Sequence, residues 1–168
     1  GLLAVTPHDP DIVLAIVLAK NMNNRPFIYQ GTNKQGNWTW IRKFVGSDAS
    51  FTSNALTSGQ GYFDLVLEIS PVNKNIVCAG TTTLFKSTSG GGSFSAIGGY
   101  QGSFGIHPDI QDMKILANGD TWVATDGGMN LSTNNFTTSS AHFALNKMLV
   151  GSDLWGFHQG WNEDIIVG

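Results

Sequence analysis

The chain has 168 residues, 12% of them charged against a usual share of about 25%. A formal net charge of -3, with Arg25 and Arg42 the only arginines, excludes an electrostatic case for nucleic acid or an anionic membrane surface. No run approaches the ~20 apolar residues of a membrane-inserted helix, and the lone Cys78 permits no internal disulfide.

Read in order, the chain alternates turn clusters with short apolar runs. Leu2 to Val5 reads as a strand, and Thr6-Pro7-His8-Asp9-Pro10-Asp11 as a turn before a strand at Ile12 to Ala15. Phe27 to Gln30 reads as a third strand and Trp38 to Phe44 as a fourth. Gly46 to Gly61, rich in Ser, Thr, Asn and Gly, reads as a long surface loop. Ser70 to Asn75 then repeats the opening turn before Ile76 to Gly80, followed by a strand at Thr83 to Lys86. Cys78 lies within this run and reads as a small core hydrophobe. A shorter version of the turn, Ala117 to Asp120, precedes Thr121 to Ala124 and Met129 to Leu131. Gly160 to Asp164 precedes a last strand at Ile165 to Val167.

The third strand of each unit enters a similar turn. Ser87-Thr88-Ser89-Gly90-Gly91-Gly92-Ser93-Phe94 follows S-x-S-x-G-x-S-F, close to the Asp-box pattern S-x-D-x-G-x-T-W. A third copy has Ser132, Asn134 at the Asp place and Phe136 at the Gly place. The first copy runs from Thr32 through Gly36 to Trp38 and is one residue short. Short hydroxyl and amide side chains tie such a turn to its own backbone, and Gly takes the left-handed position. The terminal aromatic, Phe94 or Trp38, is expected to tuck under the hairpin and pack between sheets.

The spacing is about 64 residues between the first two units and roughly 45 thereafter, the size of a propeller blade. The expected fold is therefore all-β, a β-propeller of four-stranded antiparallel blades at 1–60, 61–104, 105–144 and 145–168, the last incomplete. Three and a half blades cannot close, so the chain is expected to be a segment of a larger polypeptide, with the remainder of it or neighbouring chains as partners.

The segment from Gly61 to Val77, the turn Leu84 to Phe94, Ile106-His107-Pro108-Asp109-Ile110-Gln111-Asp112, Asp126-Gly127-Gly128-Met129-Asn130-Leu131-Ser132-Thr133 and Leu145 to Leu149 together resemble secreted Bacteroidetes-type sortilin/Asp-box propeller proteins. That superfamily also holds xyloglucanase-type glycosidases and sortilin-like receptors. The resemblance implies an extracellular or cell-surface location. It departs at Gln111, where the family's H-A-D-x-H segment has its second His, and at Met148, where its N-x-G-L turn has Gly.

Few residues carry candidate chemistry. His107 and Asp109 are metal-ligand types, but Gln111 leaves the set short, so neither a metal nor a cofactor is expected. Asp126, beside Gly127 and Gly128 at a strand end, is the candidate catalytic carboxylate, with Asp109 or Asp112 as its companion across a glycosidic bond. Its competing role is to tie a β-turn. A sialidase would need three arginines, which Arg25 and Arg42 do not supply. Trp155 and Trp161 are candidate sugar-stacking or protein-contact residues, whereas Trp38 and Trp122 are expected to be buried.

The function read first is a non-catalytic scaffold or recognition module, presenting Gly46 to Gly61 and the His107–Asp112 turn to a carbohydrate or protein ligand. The alternatives are a glycoside hydrolase using Asp126 and a sortilin-like peptide receptor.

Overall fold

The structure, a computed structural model, describes residues 1–22, 24–46, 56, 60–145, 158–159 and 166–167. Regular structure there is β throughout, apart from single 3-10 turns at Lys20–Met22 and Ser139–Ala141.

Three four-stranded antiparallel sheets follow one another, each a simple meander. The first holds β1 (Leu2–Val5), β2 (Ile12–Ala19), β3 (Arg25–Lys34) and β4 (Asn37–Val45). The second holds β5 (Val66–Ile69), β6 (Val77–Gly80), β7 (Thr83–Ser87) and β8 (Ser95–Gly99). The third holds β9 (Ile110–Ile115), β10 (Thr121–Thr125), β11 (Gly128–Ser132) and β12 (His142–Ala144). A short ladder pairs β13 (His158–Gln159) with β14 (Ile166–Val167). The rest of 145–168 after Leu145, including Trp155 and Trp161, lies outside the described residues.

The sheets stack face to face, and their first strands lie side by side, β1 against β5 and β5 against β9. One core joins the first two sheets through Leu14, Ile16 and Ile28 on one side and Leu67, Ile69, Val77 and Phe85 on the other. A second joins Val66, Cys78, Leu84 and Ile97 to Ile110, Met113, Ile115 and Val123. The middle sheet is thus covered on both faces. Side chains alternate faces along a strand, so only a sheet buried on both sides needs apolar neighbours in succession. That is why Val77-Cys78-Ala79 and Leu84-Phe85 are continuous apolar runs. Burial pushes the Cys78 thiol up to about 12, which leaves it an unreactive packing group.

The segment after β4 is not wholly a surface loop. Leu56 is 0% exposed within the first core, and a Cβ on Gly46 would collide with the Leu56 carbonyl. An apolar side chain in a run rich in Ser, Thr, Asn and Gly has been drawn under the sheets.

Two ladders slip by one residue in ways that matter below. In β4, Tyr29 pairs with Arg42 and Ile28 with Phe44, leaving Lys43 as the extra residue of a bulge. In β9, Ala124 pairs with Asp112 and Thr125 with Ile110, leaving Gln111 extra. A bulge redirects the side chain it inserts.

Candidate functional site

The meander puts the starts of β5 and β9 and the β10–β11 hairpin at one end of the stack. The turns at 6–11, 70–76 and 116–120 and the serine turns after β7 and β11 lie at the other.

At the first end the carboxyls of Asp64, Asp109 and Asp126 cluster, and Gln111 bridges two of them. Its amide donates to Asp64 Oδ1 at 2.9 Å and to Asp126 Oδ1 at 2.7 Å. Two oxygens held by one nitrogen at those lengths lie no more than about 5.6 Å apart. Asp64, just before β5, is 1% exposed. Asp109, just before β9, sits at φ 65°, with Oδ1 buried and without a hydrogen-bond partner. Burial, then the Asp109 charge, pushes the Asp64 carboxyl up to about 6, while the Gln111 amide pulls it back. Asp109 is raised by burial first and by Asp126 second. Backbone bonds fix the arrangement. Asp109 N–H and Ile110 N–H donate to the carbonyls of Thr82 and Thr81, so the β6–β7 turn holds the start of β9.

His107 belongs to the same end. Its Nδ1 lies 3.0 Å from the Pro108 carbonyl, within its own loop. Its side chain covers Gly127, where a Cβ would come within 2.4 Å of it. Glycine there is a consequence of close approach. Of the expected His107–Asp112 turn, only the part before Ile110 is turn; Gln111 and Asp112 belong to β9. Asp112 does not join the carboxyl group. It accepts from Met113 N–H at 2.8 Å and borders a shallow hollow with Lys114, Trp122, Ala124 and Met129. Among the described residues no group of three or more His, Cys, Asp or Glu is arranged to hold a metal ion.

From the sequence, Asp109 or Asp112 is the candidate companion of Asp126, Asp64 is not singled out, and Gln111 reads as a missing ligand; in the structure it is Asp109 that lies near Asp126. Asp64 and Asp109 lie two residues and one residue before the first strand of their units, about 45 residues apart, which is the repeat itself. That signal was available. The bridging role of Gln111 depends on a slip of register, which a single strand does not reveal.

At the other end, two serine turns share one geometry. Ser87 Oγ accepts from Ser89 N–H at 3.1 Å and Gly91 N–H at 2.9 Å, with Gly90 and Gly91 at φ 64° and 85°. Ser132 Oγ accepts from Asn134 N–H at 3.4 Å and Phe136 N–H at 2.7 Å, with Asn135 and Phe136 at φ 52° and 54°. Ser89 Oγ meets Ser93 Oγ at 3.0 Å, while Asn134 Oδ1 accepts from Thr137 N–H at 3.0 Å. Phe94 packs on Phe44 of the first sheet at 5.3 Å, and Phe136 on Phe104 at 5.4 Å.

The stretch at Thr32 is different and corrects the expectation. Thr32 pairs with Thr39 and Lys34 with Asn37, so the connection is a two-residue hairpin turn. Gln35 and Gly36 both have positive φ, 54° and 86°, the geometry that closes such a hairpin. The missing residue leaves no room for a hydroxyl to gather two amides. Trp38 is consequently not tucked under. It stands 46% exposed beside Trp40 at 51%, ring centroids 6.4 Å apart. Trp122 is half-buried on β10.

No family model and no curated protein matches the chain. Among solved structures, the GH74 enzyme of Niastella koreensis matches with a TM-score of 0.52 and 16% sequence identity. The match covers 84% of this chain and 22% of that one, so the chain spans about a fifth of its neighbour's length. The fold is propeller-like. This likeness is one of architecture, and it accords with four-stranded meanders stacked face to face around adjacent first strands. In a propeller-like stack, the carboxyl group and the serine turns occupy opposite ends.

Proposed function

We propose that this chain is a non-catalytic scaffold and recognition segment of a larger extracellular propeller, with its serine turns acting as Asp-box hairpins. The observation that carries this reading is the state of the carboxyl group. Asp64 is 1% exposed, and the space between it and Asp126 is bridged by the Gln111 amide. An inverting glycosidase keeps about 6.5–9.5 Å between its carboxyls to admit a water. Here the oxygens are closer than that; a retaining enzyme sets its carboxyls about 5–5.5 Å apart, but the gap between Asp64 and Asp126 is filled by the Gln111 amide rather than left open to a sugar. The group serves to lock the second sheet to the third, leaving exposed Asp126 and the His107 loop as the contact edge for a carbohydrate or protein ligand.

The bare face of the first sheet supports membership of a larger body. Leu3 and Val5 are 69% and 67% exposed, on the same face as Trp38 and Trp40. An apolar sheet face of that kind is an interaction surface.

One observation favours a second reading, glycoside hydrolysis with Asp126 as a catalytic carboxylate: Asp126 is exposed at the end where a buried carboxyl of raised proton affinity also lies, and the neighbouring fold belongs to a GH74 enzyme. The test is Asp126→Ala in the full-length protein, assayed for reducing ends on a panel of β-glucans. The scaffold reading expects no turnover from either form. Turnover by the parent that vanishes in the variant, with melting unchanged, establishes the enzyme instead.

A further inference from the structure

Between the first and second sheets, at the end away from the carboxyl group, lies a cavity of about 210 Å³. Its walls include Leu14 and Ile69 on the apolar side and Gln30, Lys43, Lys74 and Asn75 on the polar side. The bulge in β4 explains how a lysine comes to line it. Strict alternation would send Lys43 and Phe44 to opposite faces. The extra residue instead lets both face the second sheet, Phe44 packing on Phe94 while Lys43 enters the cavity.

The Lys43 ammonium has three donors and spends one on Gln30 Oε1 at 2.9 Å. Among the described residues no carboxylate forms an ion pair with it. Lys74 is the second cation on the wall, paired with Asp9 at 2.7 Å at the mouth. Two ammoniums facing one carboxylate leave the cavity with a net positive charge. Burial and the nearby Lys74 both lower the proton affinity of Lys43, as expected of a cation short of counter-charge. At ~30 Å³ per water the space exceeds that of a bare ion several-fold.

We propose that this cavity binds a small organic oxyanion, a sulfate, phosphate or carboxylate group on a short carbon skeleton, with Lys43 as its main counter-charge and Lys74 as the second. The Gln30 and Asn75 amides supply further hydrogen bonds. The skeleton lies against Leu14 and Ile69.

The experiment is calorimetric titration of the full chain, at constant ionic strength, with glucose 6-sulfate, glucose 6-phosphate, glucuronate and uncharged glucose. The three acids share one carbon skeleton and so reveal which anionic group is preferred. The site expects binding by at least one acid and none by glucose, with affinity falling as sodium chloride is added. Lys43→Met is expected to weaken binding at least tenfold, and Lys43→Arg to retain it. Asp9→Asn frees Lys74 and is expected to tighten binding several-fold. Melting of each variant in chloride alone verifies folding. Equal affinity of parent and Lys43→Met, binding of glucose as tight as of the acids, or no binding by any acid overturns the proposal.

Discussion

Asp64→Asn isolates the buried carboxyl group. The folded protein holds the Asp64 proton with an affinity near pH 6 rather than 3.8, so the group is neutral in both folded and unfolded chains only at about pH 3 and below. As pH rises from about 3 to 6 the unfolded chain ionises and the folded one resists. Stability from this group therefore falls with rising pH and levels off above 6. A raise from 3.8 to about 6 corresponds to about 3 kcal/mol at neutral pH. Asparagine removes that penalty. Its carbonyl can still accept from Gln111, and its new N–H faces a side where the Asp109 carboxyl lies. The expected result at pH 7 is a gain of about 2–3 kcal/mol, or roughly 5–10 °C in Tm, shrinking to about 0.5 kcal/mol at pH 4 and to nothing near pH 3. His142, lowered by burial, acts with opposite sign, so parent and variant must be compared at each pH. Thermal and urea unfolding from about pH 3 to 8 provide the curves. A difference that does not change with pH, or a variant less stable at pH 7, would refute the electrostatic account.

Ser87→Ala and Ser132→Ala each orphan one buried and one part-buried amide, and each is expected to cost about 1–3 kcal/mol in urea unfolding, the pair agreeing closely if the turns are equivalent. Gln111→Glu inserts a carboxylate between Asp64 and Asp126. It is expected to destabilise the chain by about 2 kcal/mol or more at pH 7 and by much less at pH 4, read from the same unfolding curves. Leu67→Ala, in the first core, is expected to cost about 2–5 kcal/mol. Leu3→Ala, at the exposed counterpart, is expected to change stability by less than about 0.5 kcal/mol in this chain.

What was legible in the sequence was what local geometry decides. A serine whose hydroxyl can reach the amides two and four residues ahead marks the turns at Ser87 and Ser132, even though Phe136 takes a left-handed position that glycine would fill. Strand order was legible because turns and apolar runs alternate. The same reasoning failed at Thr32, where a one-residue deficit let hairpin pairing win over the serine-type turn. It also failed for Leu56, whose burial depends on sheets distant in sequence. The two polar centres were illegible for one shared reason. Gln111 and Lys43 are both placed by register slips, and register is a property of paired strands rather than of one strand.

The repeat supplies its own control for what a neighbouring sheet does. Leu3 and Val5 of β1 occupy the places that Leu67 and Ile69 occupy in β5, about 64 residues on. The first pair is 69% and 67% exposed; the second is 6% and 3% exposed. The residue types are nearly the same, so the difference comes from the sheet packed on the second pair. Covering Leu3 and Val5 in the same way would contribute about 1.5–3 kcal/mol for each side chain, with Trp38 and Trp40 adding area on the same face. An apolar residue kept at these repeat positions, with two indoles beside them, supports the proposal that another apolar surface packs on that side. The scaffold reading thus rests on the same physics as the buried middle sheet, applied to a face that stands exposed among the described residues.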